Sequence, residues 1–388
     1  MKRITRLIFF VILGLLAFGQ LQRFQITPDI TLFGHDFAIG FWLILVWLTD
    51  KEVIKKLSKL VKNKHLRLIL AWTGLVFLFN LSILNWQYVA YISRLAFYIT
   101  FGLTLWQTSI LETRDKWLGL GLYSLVFLLW GWWQYLFLPD TRFLAVLGFD
   151  DHYYRLIGTT FDPNFSGVIL GMMFLIWQFI SNSLKKRLDW LKWLGSILLL
   201  VSISLTFSRA SYISLFIAFI ATKLNIKAGL GTVAKAGLVI VLLAGVLLFT
   251  SRHQTGEGVN LFRTASINAR ISYDVDIVSS WSTLDWLIGS GWQFSTSIPS
   301  SDRTFIPPNM ANLPNNLLVT IIGGWGLVGL LLLSRTLLQT KPWQKLTSLQ
   351  LGLIILVLVH SQFNNTLLHP LVLPILLILL VQSKKLKV

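Results

Sequence analysis

Arg155, Arg209 and Arg270 stand in three short polar stretches, "YYRLIGTTFDPN", "LTFSRAS" and "SINARISYDVD". The chain around them is 55% hydrophobic and only 13% charged. An arginine in apolar surroundings is costly, so its presence points to a task. The guanidinium fork binds phosphate or carboxylate through two parallel hydrogen bonds, which a lysine cannot do. Three such forks could hold a multiply charged anion and stabilise negative charge developing on a leaving group. Asn164 and Ser208 lie in the same polar stretches, and Asn315 and Asn316 in a further one, "LPNN". They could add neutral hydrogen bonds to a substrate. Arg94, in "YVAYISRLAFYITF", either extends such an anion site or pairs with an acid such as Asp36.

Chemistry that removes a proton also needs a base. His152, three residues before Arg155, is the nearest group that titrates close to neutrality. His369 and Asp274 are the other candidates. The run Asp150–His152 could be read as a metal site, but three adjacent residues rarely converge on one ion. No metal and no cofactor is expected. The chain has no cysteine, which excludes disulfides, thiolate nucleophiles and Cys-based metal sites.

The elements that must position these residues are membrane helices. A soluble domain carries about a quarter charged residues. Here apolar segments of roughly 15–20 residues recur from end to end, enough to cross a hydrocarbon core. Twelve spans are expected, at about 4–21, 33–49, 68–84, 88–106, 117–137, 166–182, 190–206, 209–222, 234–250, 316–334, 349–365 and 367–382. The fold class is all-α, a single polytopic membrane domain over 1–388. Two of the segments between spans are long outer loops, a smaller one at 138–165 and a large one at 251–315. In the large one, Ile271, Val275, Val278 and Trp281 recur at helical spacing, which predicts an amphipathic helix. Arg270 and Asp274, four apart, could pair on its other face.

Charge fixes the orientation. With the N-terminus inside, all 19 lysines and 6 arginines fall on the cytoplasmic side against 5 acids. The remainder holds 11 acids, no lysine and nine arginines: Arg23, Arg94, Arg142, Arg155, Arg209, Arg252, Arg263, Arg270 and Arg303. The net charge of +18 is thus a matter of topology, and nucleic acid is not an expected partner. Both termini are expected in the cytoplasm, and the run from Ser196 to Ala221 must turn outward near Thr206–Ser211.

Four patterns occur in order on the outer side. They are "RLIGTTFDPNFSG" (155–167), "LTFSRAS" (205–211), "NARISYDVDIVSSW" followed by "LIGSGW" (268–292), and "LPNNLLVTIIGGWGLVG" (313–329). Together they resemble the superfamily of O-antigen ligases and Wzy-type polysaccharide polymerases. The resemblance covers about 155–329. It implies a metal-independent glycosyltransferase of the bacterial cytoplasmic membrane with an outward-facing site. The implied donor and acceptor are glycans on undecaprenyl diphosphate. It assigns the catalytic arginines to Arg155, Arg209 and Arg270. The superfamily's His-Asn pair appears here as Asn315–Asn316, so its histidine has no counterpart at that position.

Three functions follow as expectations. The first is polymerisation of lipid-linked repeat units into exopolysaccharide, capsule or O-antigen-type chains. The second is ligase-type transfer of a finished glycan to another acceptor. The third, of a different class, is a transporter or flippase of lipid-linked sugars. Transporters place ionisable groups near the midplane between two repeats, whereas these arginines fall toward the outer face. Membrane lipids and chain-length regulators complete the expected partners.

Overall fold

The computed structural model describes residues 1–27, 30–81, 86–181, 188–224, 257–261, 264–292 and 313–383. Among these the chain is mostly helical. The helices are α1 (Lys2–Phe18), α2 (Gly34–Thr49), α3 (Lys51–Val61), α4 (Lys64–Phe79), α5 (Trp86–Gln107), α6 (Thr113–Phe137) and α7 (Pro163–Ile180). They continue with α8 (Asp189–Leu205), α9 (Arg209–Leu224), α10 (Ala265–Ser279), α11 (Thr283–Ile288), α12 (Leu317–Thr340), α13 (Ser348–His360) and α14 (Val372–Ser383). Eleven of the twelve expected spans coincide with a helix to within a few residues; the other, 234–250, lies outside the described residues. Among the described residues, five helical segments are long and apolar enough to cross a membrane: Lys2–Gln22, Val89–Gln107, Thr113–Phe137, Pro163–Ile180 and Leu317–Thr340. Helix α3, rich in lysine, lies between the expected spans 33–49 and 68–84.

The chain divides into two compact units. The first comprises Met1–Ile12, Arg23–Asp115 and Thr264–Lys345. It holds a small antiparallel hairpin, β1 (Arg23–Thr27) and β2 (Ile30–Phe33), in which Arg23 faces Phe33. An all-α reading omits this hairpin. Its β-branched and aromatic residues, in "RFQIT" and "ITLF", flank a Pro-Asp pair, a strand–turn–strand composition. Helix α2 follows directly, and Asp36 in its first turn accepts the Phe33 N–H at 2.9 Å.

In the same unit α12 is broken at Gly326, whose φ of 67° and ψ of 178° are non-helical. A side chain there would collide with the Leu287 carbonyl at the end of α11, so only glycine fits. The break releases carbonyls, and each one named here has a donor. Gly323 O accepts from Ser290 N at 2.7 Å and Ser290 Oγ at 3.0 Å. Trp325 O accepts from Trp72 Nε1 at 2.9 Å. The "LIGSGW" motif is therefore the element that meets the helix break.

The second unit comprises Leu13–Gln22, Lys116–Arg263 and Leu346–Val388. Its centre is α7, which packs against α8, α9 and α13 and is buried along most of its length. Gly167 allows α7 to approach α9 closely, because a Cβ there would collide with Ser211. The chain entering α7 is not helical, and its backbone is held by buried side chains. Gln134 on α6 accepts the N–H of Ile157 at 2.9 Å and donates to Arg155 O at 3.2 Å. Ser166 Oγ donates to Ile157 O at 2.5 Å. Non-helical backbone surrounded by apolar helices needs such partners.

Candidate functional site

In the second unit, two of the expected arginines meet on one turn. Residues Thr206–Ser208 separate α8 from α9, where the sequence predicted a reversal. Arg155, 5% exposed, donates from Nε to Thr206 O at 3.0 Å and from Nη2 to Phe207 O at 3.3 Å. The neighbouring Leu156 N–H bonds Leu205 O at 2.8 Å. The "RLIG" motif is thus pinned to the "TFSR" motif through the backbone. Arg209 opens α9, is half-buried, and donates from Nη1 to Leu261 O at 3.0 Å. Backbone carbonyls orient both guanidinium groups at or beside the turn, and both side chains make further interactions in these partly apolar surroundings.

The backbone around these arginines is strained in a consistent way. Tyr154, Phe161 and Phe207 have φ of 50°, 56° and 51°. Such left-handed conformations are rare for bulky residues and cost on the order of 1–3 kcal/mol each. They immediately precede Arg155, the Asp162 cap of α7, and Ser208–Arg209. Phe207 is fully buried with Val259, Tyr154, Tyr212 and Leu261 around it.

A chain of polar side chains runs inward from this turn. Ser208 Oγ donates to Asn164 Oδ1 at 2.9 Å, and Ser211 Oγ lies 2.8 Å from Ser208 Oγ. Ser211 Oγ is also 3.1 Å from His360 Nε2, and His360 Nδ1 is 2.6 Å from Thr366 Oγ1. Thr366 Oγ1 is in turn 3.0 Å from Asn364 O. His360 and Thr366 are fully buried, and Ser208 and Ser211 nearly so. Two proton arrangements satisfy this chain. In one, Ser211 donates to Nε2, Nδ1–H donates to Thr366, and Thr366 donates to Asn364 O. In the other, Thr366 donates to Nδ1, Nε2–H donates to Ser211, and Ser211 donates to Ser208. They differ in the imidazole tautomer and in the rotation of the Ser211 and Thr366 hydroxyls, so either ring nitrogen can stand as the acceptor.

His360 did not emerge from the sequence. It ends an apolar run, "LIILVLVH", and Ser211 is 149 residues away. The candidate histidines of the sequence have other surroundings. The ring of His369 stacks on Phe165 with centroids 3.8 Å apart, and its Nδ1 accepts Leu371 N–H at 3.2 Å. His152 is buried, and its carbonyl accepts both Thr141 N and Thr141 Oγ1 at 2.9 Å. Nearby, Arg142 pairs with Asp140 at 2.6 Å and covers the Tyr153 ring at 4.9 Å. Hydrogen bonds from Arg142 hold the Asp140 carboxyl down to a pKa of about 2.

The first unit holds two further clusters. Arg94 pairs with Asp36 at 3.3 Å, one of the two roles the sequence offered, and also bonds the Thr31 carbonyl. Tyr98 donates to the same carboxylate at 2.5 Å and lies 2.9 Å from His35 Nε2. The other cluster joins α10 to α12. Asp274 Oδ1 accepts the Asn315 N–H at 2.7 Å. Burial pushes the Asp274 carboxyl up, while donors from Asn315 and Asn316 and the Arg270 charge pull it partly back. Asn316 caps α12, accepting from Leu318 N at 2.8 Å and Val319 N at 3.3 Å.

Helix α10 coincides with the expected amphipathic helix. Ile277 is fully buried within the unit, and Ile271 and Val275, on the expected apolar face, are more than half exposed. Arg252, Arg263 and Arg303 lie outside the described residues. No family model and no curated protein matches the chain.

Proposed function

We propose that this chain is a membrane glycosyltransferase that polymerises repeat units linked to undecaprenyl diphosphate at the outer face of the bacterial cytoplasmic membrane. The observation that carries this reading is the meeting of the Arg155 and Arg209 motifs on the Thr206–Ser208 turn. The order of the four outer-side patterns supports it, as does the one-sided distribution of lysine, which favours both termini inside.

The reaction needs few groups. A hydroxyl oxygen of the acceptor glycan attacks the anomeric carbon of the donor. The bond from that carbon to the diphosphate oxygen breaks, and undecaprenyl diphosphate departs with the electron pair. The departing anion needs no proton but does need fixed positive charge, the role assigned to Arg209, with Arg155 holding the turn that presents it. The acceptor proton needs a base, and we assign it to His360 through Ser211 and Ser208. Arg270 carries the third arginine of the resemblance. Arg270→Ala is expected to stop chain growth, which tests its part independently of the turn.

Deleting the gene and analysing lipid-linked glycans on each leaflet tests the reading. Single repeat units accumulating on the outer leaflet are the expected result. Long lipid-linked chains there would indicate a ligase instead. Single units confined to the inner leaflet would indicate a flippase and remove glycosyl transfer altogether.

A further inference from the structure

The turn between α13 and α14 carries "SQFNNT", residues 361–366. It is tightly built. Phe363 N and Asn364 N both bond His360 O at 3.1 Å, Thr366 N bonds Asn364 O at 2.5 Å, and Leu367 N bonds Ser361 Oγ at 2.9 Å. Against this hydrogen-bonded backbone, the two asparagine amides stand out. Asn364 is 6% exposed, and its Nδ2 is shielded from solvent without a hydrogen-bond partner in the protein. Asn365 has both Nδ2 and Oδ1 in the same condition. Leaving buried amides unmatched is costly, and proteins rarely do so without a reason. Three such atoms on consecutive residues, one residue before Thr366 and its bond to His360, form a coherent set.

The chemistry of the set selects its ligand. Two amide N–H₂ groups donate and one amide oxygen accepts, with no charge among them. An anion would be repelled by Asn365 Oδ1, and a cation by the N–H₂ groups. A hydroxyl both donates and accepts, so adjacent hydroxyls on one ring match the set. We propose that Asn364 and Asn365 form a subsite for a neutral sugar ring, the acceptor end of the glycan, and hold its hydroxyl for His360. This rests on the glycosyl-transfer reading above. Gln362 and Phe363, both exposed, flank the subsite on the same turn.

The test uses the full chain in lipid nanodiscs and two probes: undecaprenyl diphosphate without sugar, and the lipid-linked glycan extracted from cells lacking the gene. The unaltered protein should bind the glycan probe more tightly. In Asn364→Ala/Asn365→Ala that affinity should fall about tenfold, while binding of undecaprenyl diphosphate is unchanged. Unchanged glycan affinity in the double variant would overturn the subsite alone. Equal affinity of the unaltered protein for both probes would overturn the glycosyl-transfer reading and the subsite with it. A second measurement needs no ligand. Asn365→Leu, similar in size, should raise Tm by about 2 °C, because it replaces unmatched amide atoms with apolar ones. A lower Tm would mean that the amide is already satisfied, and would also overturn the subsite.

Discussion

Two buried arginine environments in this molecule are built differently. In the first unit Arg94 meets a carboxylate, Asp36, which Tyr98 and the Phe33 N–H also engage. In the second, Arg155 and Arg209 meet backbone carbonyls on a turn flanked by left-handed aromatic residues. A carboxylate neutralises a guanidinium, and the result is a closed ionic joint. Carbonyls aim a guanidinium at a defined point. The first arrangement suits structure and the second suits binding, and the left-handed Tyr154, Phe161 and Phe207 beside the second agree with that division.

The largest expected effect separates the two by catalysis. His360→Ala should lower the rate of chain growth by about 10²–10⁴-fold, the range for loss of a general base. Next comes the ionic joint. Asp36→Ala leaves the Arg94 charge buried without its partner and should cost about 3–5 kcal/mol of stability. Asp36→Leu with Arg94→Met should recover most of that loss in Tm and keep activity. If the double variant is folded but inactive, the joint belongs to the chemistry and the comparison fails.

Arg209→Lys keeps the charge and loses the fork. A loss of about 10²–10³-fold in activity is expected, with normal protein in the membrane. Near-normal activity would take Arg209 out of the site. The smallest effect concerns Asp274. Its pKa in the folded protein is raised, so its contribution to stability is present at low pH and declines as pH rises from the ordinary value of 3.8 through the folded value. Asp274→Asn should flatten that slope in thermal unfolding measured across the acid range. A slope that persists would assign it to another group.

How much of this was legible beforehand depends on the range of the interaction. Apolar run length placed the helices, because a span is dictated by its own residues. Charge sidedness likewise placed the turn at Thr206–Ser208 from the basic segments flanking it. The hairpin at Arg23–Phe33 was legible in principle, since "RFQIT" and "ITLF" around Pro28–Asp29 carry strand and turn residues. It was overshadowed by the expectation of an uninterrupted helical chain. On α10, Ile271 and Val275 are exposed and Ile277 is buried, and nothing local in the sequence distinguishes the three. His360 was invisible for a deeper reason. Its role depends on Ser211 and Thr366, and only the packing of α13 against α9 brings Ser211 to it.

The account rests on one reaction, and that reaction can be measured directly. The purified full chain in nanodiscs, supplied with lipid-linked repeat units, should yield longer lipid-linked glycans. One free undecaprenyl diphosphate should be released for each glycosidic bond formed. Repeat units that remain single, with no carrier released by active, folded protein, would contradict it.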